Sequence, residues 1–142
     1  MQDDLVKLDA IAVELLNEFD ITHPPVPVES MLQRPVTDNM WEELDVTKLS
    51  GAFLSIRDRY SPRMSLARLL VRHVAASEWG KMRGVTELLD SDEEKVKAFA
   101  RMIVMPRTMV NTVSSAALNP TTLSLQFEVP EEDARLRLQE LL

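Results

Sequence analysis

The stretch PRMSLARLLVRHVAAS, residues 62–77, places Arg68 and Arg72 four residues apart. On a helix that spacing puts two side chains on one face. It is the spacing at which an H-E-x-x-H helix aims two histidines at one zinc ion, with the glutamate beside the first serving as base. These residues cannot do that chemistry. A guanidinium is permanently charged and has no lone pair for a metal, and Leu69, which follows the first arginine, cannot take a proton. His73 lies one residue past Arg72, about 100° further round the helix. It shares an apolar stripe with Leu66, Leu69, Leu70, Val74 and Ser77, where a lone histidine reads first as a hydrogen-bonded boundary residue. His23, beside Pro24 and Pro25, reads as a surface turn residue. A metal site rebuilt from His73, Glu93 and a third residue stays open as an alternative, because catalytic zinc takes three protein ligands and one open position.

Other chemistries find little support. The chain has no cysteine, which removes disulfides, thiolate–zinc sites and thiol catalysis and suits a reducing compartment. Gly51, Gly80 and Gly84 form no phosphate loop or dinucleotide fingerprint. Ser114 and Ser115 have no histidine close in sequence and no nucleophile-elbow glycines. Met102, Met105 and Met109 recur at spacings of three and four, which reads as helical core filling. No cofactor is expected.

The formal charge is −7, which argues against broad nucleic-acid binding by the chain alone. The distribution is uneven. Residues 1–61 carry 12 acids against 5 bases, whereas residues 62–83 carry Arg63, Arg68, Arg72, Lys81 and Arg83 against Glu78 alone. Such a basic segment can meet an acidic partner or complement the acidic remainder of its own molecule. The first ten residues, MQDDLVKLDA, are acidic and show no basic-then-apolar leader. No apolar run approaches the roughly 20 residues that span a bilayer, so a soluble, cytoplasmic protein with no membrane contact is expected.

The elements that must position these residues follow from periodicity and punctuation. Leu5, Leu8, Ile11, Ala12, Leu15, Leu16 and Phe19 recur at helical spacing behind Asp3 and Asp4, and together predict a first helix. Pro24, Pro25 and Pro27 stop it. VESMLQ, with Pro27 at its entry, predicts a short second helix. LSGAFLSIRDRY predicts a strand over 52–56, with an extended piece near Pro35–Val36 completing a small meander. Residues 62–77 form the third helix, broken by GKMRG. Ser91 with Glu94 three residues later opens a helix that Pro106 ends. A further helix is expected from Pro106 to about Ala117. Asn119 and Pro120 then open a short helix, and PEEDARLRLQELL predicts a last one. The expected fold is therefore α+β: a single, mainly helical domain over residues 1–142. A small β-sheet would lie between the N-terminal helices and the 62–77 helix.

RMSLARLLVR (63–72) and EEKVKAFARMIVMP (93–106), together with PPVPVE before the sheet and LSLQFEVPEEDARLRLQEL at the end, resemble the ImmA/IrrE type of zinc metallopeptidase-like proteins. The order matches, and the resemblance covers most of the chain. It implies a zincin-like arrangement in which Arg68 stands at the first histidine, Leu69 at the glutamate and Arg72 at the second histidine. Glu93 stands at the third ligand and Lys97 at a family asparagine. The former metal-site positions are thus Arg68, Leu69, Arg72 and Glu93, with no catalytic residue left.

The resemblance further implies a catalytically inactive relative retained as a binding or regulatory module. Its partner would be a helix-turn-helix transcription regulator, docked against Arg68, Leu69, Arg72 and His73. An arginine–carboxylate cluster is expected where the metal would have stood, with Glu93 pairing to Arg68 or Arg72. Two alternatives remain: an active metal-dependent peptidase with a rebuilt site, and a helical scaffold unrelated to the family. For the last, Ala134, Leu138, Leu141 and Leu142 share one side of the terminal helix. That side can join two copies or close onto its own domain.

Overall fold

In the computed structural model, residues 2–45 and 59–141 are described. They build nine α-helices and one 3-10 turn: α1 Gln2–Glu18, α2 Val28–Gln33, α3 Ser61–Ala76, α4 Glu78–Met82, α5 Val85–Leu89, α6 Glu93–Val104, α7 Arg107–Val110, the 3-10 turn Ser115–Ala117, α8 Pro120–Phe127 and α9 Glu131–Glu140. The central element is α6, with α1 and α3 both packed along it, while α9 joins it from the α8 side. Its sequence explains the position. Val96, Ala98, Phe99, Ala100, Met102, Ile103 and Val104 are all buried, so α6 turns a broad apolar face to the core from its second turn onward, while Glu93, Glu94 and Lys97 of its first turns stay at the surface. Against it α1 turns Leu8, Ala12, Leu15 and Leu16, and α3 turns Ala67, Leu70, Val71 and Val74. Each set repeats every three or four residues, which is the one-face stripe of an amphipathic helix. No helix among the described residues is long and apolar enough to cross a membrane.

The α+β expectation is overturned. Among the described residues there is no strand, and the architecture is all-helical. The strand expected over 52–56 lies outside the described residues. Pro35–Val36 is not a strand either: it belongs to an irregular segment running from the end of α2 to residue 45. The backbone of that segment bonds to helix ends and turns rather than to a neighbouring strand. The Leu44 N–H donates to the Leu32 carbonyl (3.2 Å), and the Asn39 carbonyl accepts from the Trp79 N–H (2.8 Å). Met40 and Trp41 fill the core from this segment, with the Trp41 indole N–H donating to the Met31 carbonyl (3.2 Å) and its ring stacked on Phe19.

Several helix ends differ in detail from expectation. GKMRG does not break α3. The break is Ser77, whose backbone is extended and whose hydroxyl donates to the Val74 carbonyl (2.7 Å) and accepts from the Gly80 N–H (3.0 Å). Gly80 and Lys81 then lie inside α4. A β-carbon on Gly80 would sit 1.9 Å from the Val74 carbonyl oxygen, so the α3–α4 corner closes only over a hydrogen. At α6 the cap is Asp92, which accepts from the Glu94 N–H (2.9 Å). Ser91 stands outside it in the left-handed region, as does Asp90. The helix expected from 106 to 117 is split into α7 and the 3-10 turn. Asn119 caps α8 as its type predicts, accepting from the Thr122 N–H (2.9 Å).

The helices are tied by charges set unusually deep. Arg137 of α9 is 0 % exposed and donates to Asp9 of α1 (2.8 Å) and to the Met105 carbonyl at the end of α6 (2.8 Å). Its Nη1 makes no hydrogen bond and lies 4.0 Å from Glu140. Asp9 also receives Arg107 at 3.0 Å. Next to this group Arg101 of α6 is clamped by Glu140 at 2.6 Å, with Asp133 at 3.9 Å. Burial raises the Asp133 carboxyl above its ordinary range, against the opposing pull of Arg101. Lys95 of α6 reaches Asp4 of α1 at 3.1 Å. Ala134 is fully buried, and Leu138 and Leu141 pack against the same core. The side of α9 that could have met a second copy is therefore turned inward, with Leu142 outside the described residues.

Candidate functional site

The C-terminal half of α3 and the first turn of α6 bring Arg72 and Glu93 together. Arg72 Nη2 donates to both carboxylate oxygens of Glu93, at 2.9 and 3.1 Å. The pair is on the surface, with side chains 55 % and 60 % exposed. That exposure decides its energetic weight. A solvated pair contributes roughly 0–1 kcal/mol, not the several kcal/mol at stake in a buried one. Arg68 does not join it. Its Nη2 turns back one helical turn to the buried Ser65 hydroxyl (3.1 Å), and its charge favours the ionised form of Asp133 on α9. The expected cluster is thus one exposed ion pair with the second arginine directed elsewhere.

Leu69 is half-buried and packs on the core. His73 is half-buried in the last turn of α3, and burial lowers its imidazole pKa below the ordinary value. Lys97, on the exposed side of α6, pairs with Glu94 at 3.5 Å. Among the described residues no three of His, Cys, Asp or Glu come close enough together to hold a metal ion. His23 lies at the surface beside Thr22, remote in sequence from this helix pair.

What the sequence did not disclose is a groove on the far side of Arg72. A cavity of about 460 Å³ opens between the end of α3, α4, α5 and the start of α6, lined by Arg72, Ala75, Ala76, Lys81, Thr86, Leu89, Ser91 and Val96. Small residues make it: alanines at 75 and 76 leave a depression where longer side chains would reach across to α5. Thr86 ties the wall by donating to the Ala75 carbonyl (3.0 Å). The sequence signal was the Ala-Ala pair closing α3, which means little until α5 is known to face it. The second missed feature, the Asp9–Arg137 pair, did leave a trace. Asp9 falls on the α1 stripe at four residues from Leu5 and three from Ala12, and Arg137 is three from Ala134 on the α9 stripe.

The fold also sorts the basic segment. Arg63 is consumed internally, donating to the carbonyls of Glu128 (2.9 Å) and Val26 (3.0 Å). Burial lowers its pKa, with Glu128 and Glu29 opposing. Arg83 lies over the Trp79 ring at 3.7 Å and binds Glu14 at 2.6 Å. Arg72 and Lys81 remain at the rim of the groove. No protein-family model, no curated protein and no solved structure matches this chain.

Proposed function

We propose that the chain is a non-catalytic binding or regulatory module related to the ImmA/IrrE metallopeptidase-like proteins, acting with a helix-turn-helix transcription regulator. The observation that carries this reading is the α3 surface itself. The i, i+4 positions of a metal helix are occupied by Arg68 and Arg72, and Arg72 lies in an exposed ion pair with Glu93. Arginine and leucine supply neither a metal ligand nor a base, but they can bind, because an exposed cation beside a half-buried leucine and a groove suits a protein contact. Leu69, Arg72 and His73 form the docking face, with Arg68 shaping it from the α9 side.

Two measurements test the reading together. The protein is dialysed against zinc and its metal content read by elemental mass spectrometry, alongside hydrolysis of a casein substrate. An array of purified helix-turn-helix regulators is then screened for binding to wild type and to Arg72→Glu. The expected result is zinc far below the stoichiometric amount of a catalytic site, no hydrolysis, and a regulator whose binding falls with Arg72→Glu. Stoichiometric zinc lost on His73→Ala or Glu93→Ala would overturn it, as would the absence of any bound regulator.

A further inference from the structure

The groove beside Arg72 combines three properties that together specify an occupant. Its floor is aliphatic and shallow, formed by Ala75, Ala76, Leu89 and Val96. Among the described residues its only charged lining residues are Arg72 and Lys81. In chain order these two bracket the alanines: Arg72 lies one turn before Ala76, and Lys81 follows the Ser77 corner. Lys81 forms no ion pair among the described residues, and Arg72 is held only by an exposed glutamate. An incoming carboxylate can take over that arginine at small cost, because the pair it replaces is worth little. The chain as a whole carries −7. A cation-rimmed groove on an acidic protein therefore selects where an acidic ligand can land rather than attracting it everywhere.

We propose that this groove is the docking site for a short acidic, amphipathic protein segment. One or two aliphatic side chains of the segment lie over Ala75, Ala76, Leu89 and Val96, and its carboxylates meet Arg72 and Lys81. A volume of about 460 Å³ is within the range of ligand-binding clefts. The pattern is the one by which an apolar anchor supplies affinity and flanking charges supply register. This deepens the binding-module reading, on which it rests, by naming the chemistry of the partner segment and extending the contact from Arg72 onto the alanine floor.

The test is a displayed library of random linear dodecapeptides selected on the wild-type protein, with the enriched peptides then titrated in solution. Enrichment of sequences that pair Asp or Glu with Leu, Ile, Val or Met is expected. Lys81→Glu and Arg72→Glu are each expected to weaken binding about tenfold or more, equivalent to about 1.4 kcal/mol. Ala76→Arg, which fills the floor, is expected to abolish it. Ala76 and Lys81 are exposed, so these variants are expected to fold, as checked by their helical circular dichroism. No enrichment over the Ala76→Arg protein, enrichment of basic peptides, or peptides indifferent to all three variants would overturn the proposal. The two readings fail separately. A regulator that binds Ala76→Arg as well as wild type leaves the module standing and removes the groove. Acidic peptides bound by a protein that also holds stoichiometric zinc leave the groove standing and remove the inactive-peptidase reading.

Discussion

Asp9→Ala is expected to be among the most damaging single substitutions in the chain, although it removes only one small carboxylate. Arg137 is fully buried and cannot lose its charge, since a guanidinium stays protonated in proteins. Desolvation already lowers its pKa, and the first influence opposing that is Asp9. Glu140, the other carboxylate near it among the described residues, stands off at 4.0 Å and is held by Arg101 at 2.6 Å, and Nη1 is without a hydrogen bond, so Glu140 offsets the loss of Asp9 only in part. Removing one partner of a buried pair costs about 3–5 kcal/mol, against a total stability of about 5–15 kcal/mol for a domain. At about 2–4 °C per kcal/mol for a chain near this size, the melting temperature falls by roughly 6–20 °C.

The assay is urea denaturation followed by circular dichroism, run with Arg107→Ala as control. Arg107 contacts the same carboxylate but is 47 % exposed, so its loss costs under about 1 kcal/mol. The double variant Asp9→Leu with Arg137→Met is expected to recover much of the loss, because apolar replacements of a buried pair are often neutral or better. An Asp9→Ala loss below about 1 kcal/mol, or a double variant no better than the single, would refute the argument that the pair is buried and uncompensated.

Three further outcomes are expected. Arg72→Ala and Glu93→Ala each cost less than about 1 kcal/mol, and even this loss shrinks in high salt, because their pair is solvated; thermal melts at two salt concentrations check it. Gly80→Ala destabilises by about 1–3 kcal/mol or more from overpacking against the Val74 carbonyl, the opposite sign to the roughly 1 kcal/mol that alanine gains over glycine in an unobstructed helix. For His73, burial lowers the folded-state pKa, so the unfolded chain takes up the proton first. Its contribution is complete above the unfolded value of about 6.5 and is lost as pH falls through the folded one; stability against pH is expected to be flatter in His73→Gln over that window.

The helices were legible where local chemistry and burial agree. The α1 stripe, proline in the entry to α2, and Asn119–Pro120 at α8 each follow from a spacing or a cap that tertiary contacts do not contest. The misses have a common physical source. Ser91 and Asp92 are both competent caps, and which one serves depends on where α5 ends and the turn begins. Gly80 reads as a helix breaker, yet here it is required by the approach of α4 to the end of α3. The extended piece expected near Pro35–Val36 lies in an irregular segment whose later residues, Asn39 and Leu44, bond to α4 and α2 rather than to a strand. At the candidate site the residue types were legible and their partners were not. Spacing placed Arg68 and Arg72 on one face, but only the neighbouring helices decide that Arg72 meets Glu93 while Arg68 turns to Ser65.

The Asp9–Arg137 pair joins residues 128 positions apart, and that has a consequence for the order in which the molecule assembles. Closing a loop of that length from an open chain costs about 4 kcal/mol in the logarithmic term alone. The cost drops to about 3 kcal/mol once α1 is already docked on α6, because the effective loop is then the 32 residues from Met105 to Arg137. The guanidinium is thus expected to be desolvated late, into a pocket whose walls are already present. Contacts made after the rate-limiting step govern how fast a protein comes apart rather than how fast it forms. Asp9→Ala is accordingly expected to raise the unfolding rate in stopped-flow experiments while leaving refolding nearly unchanged. On that outcome the buried pair is a kinetic latch that sets the lifetime of the folded state.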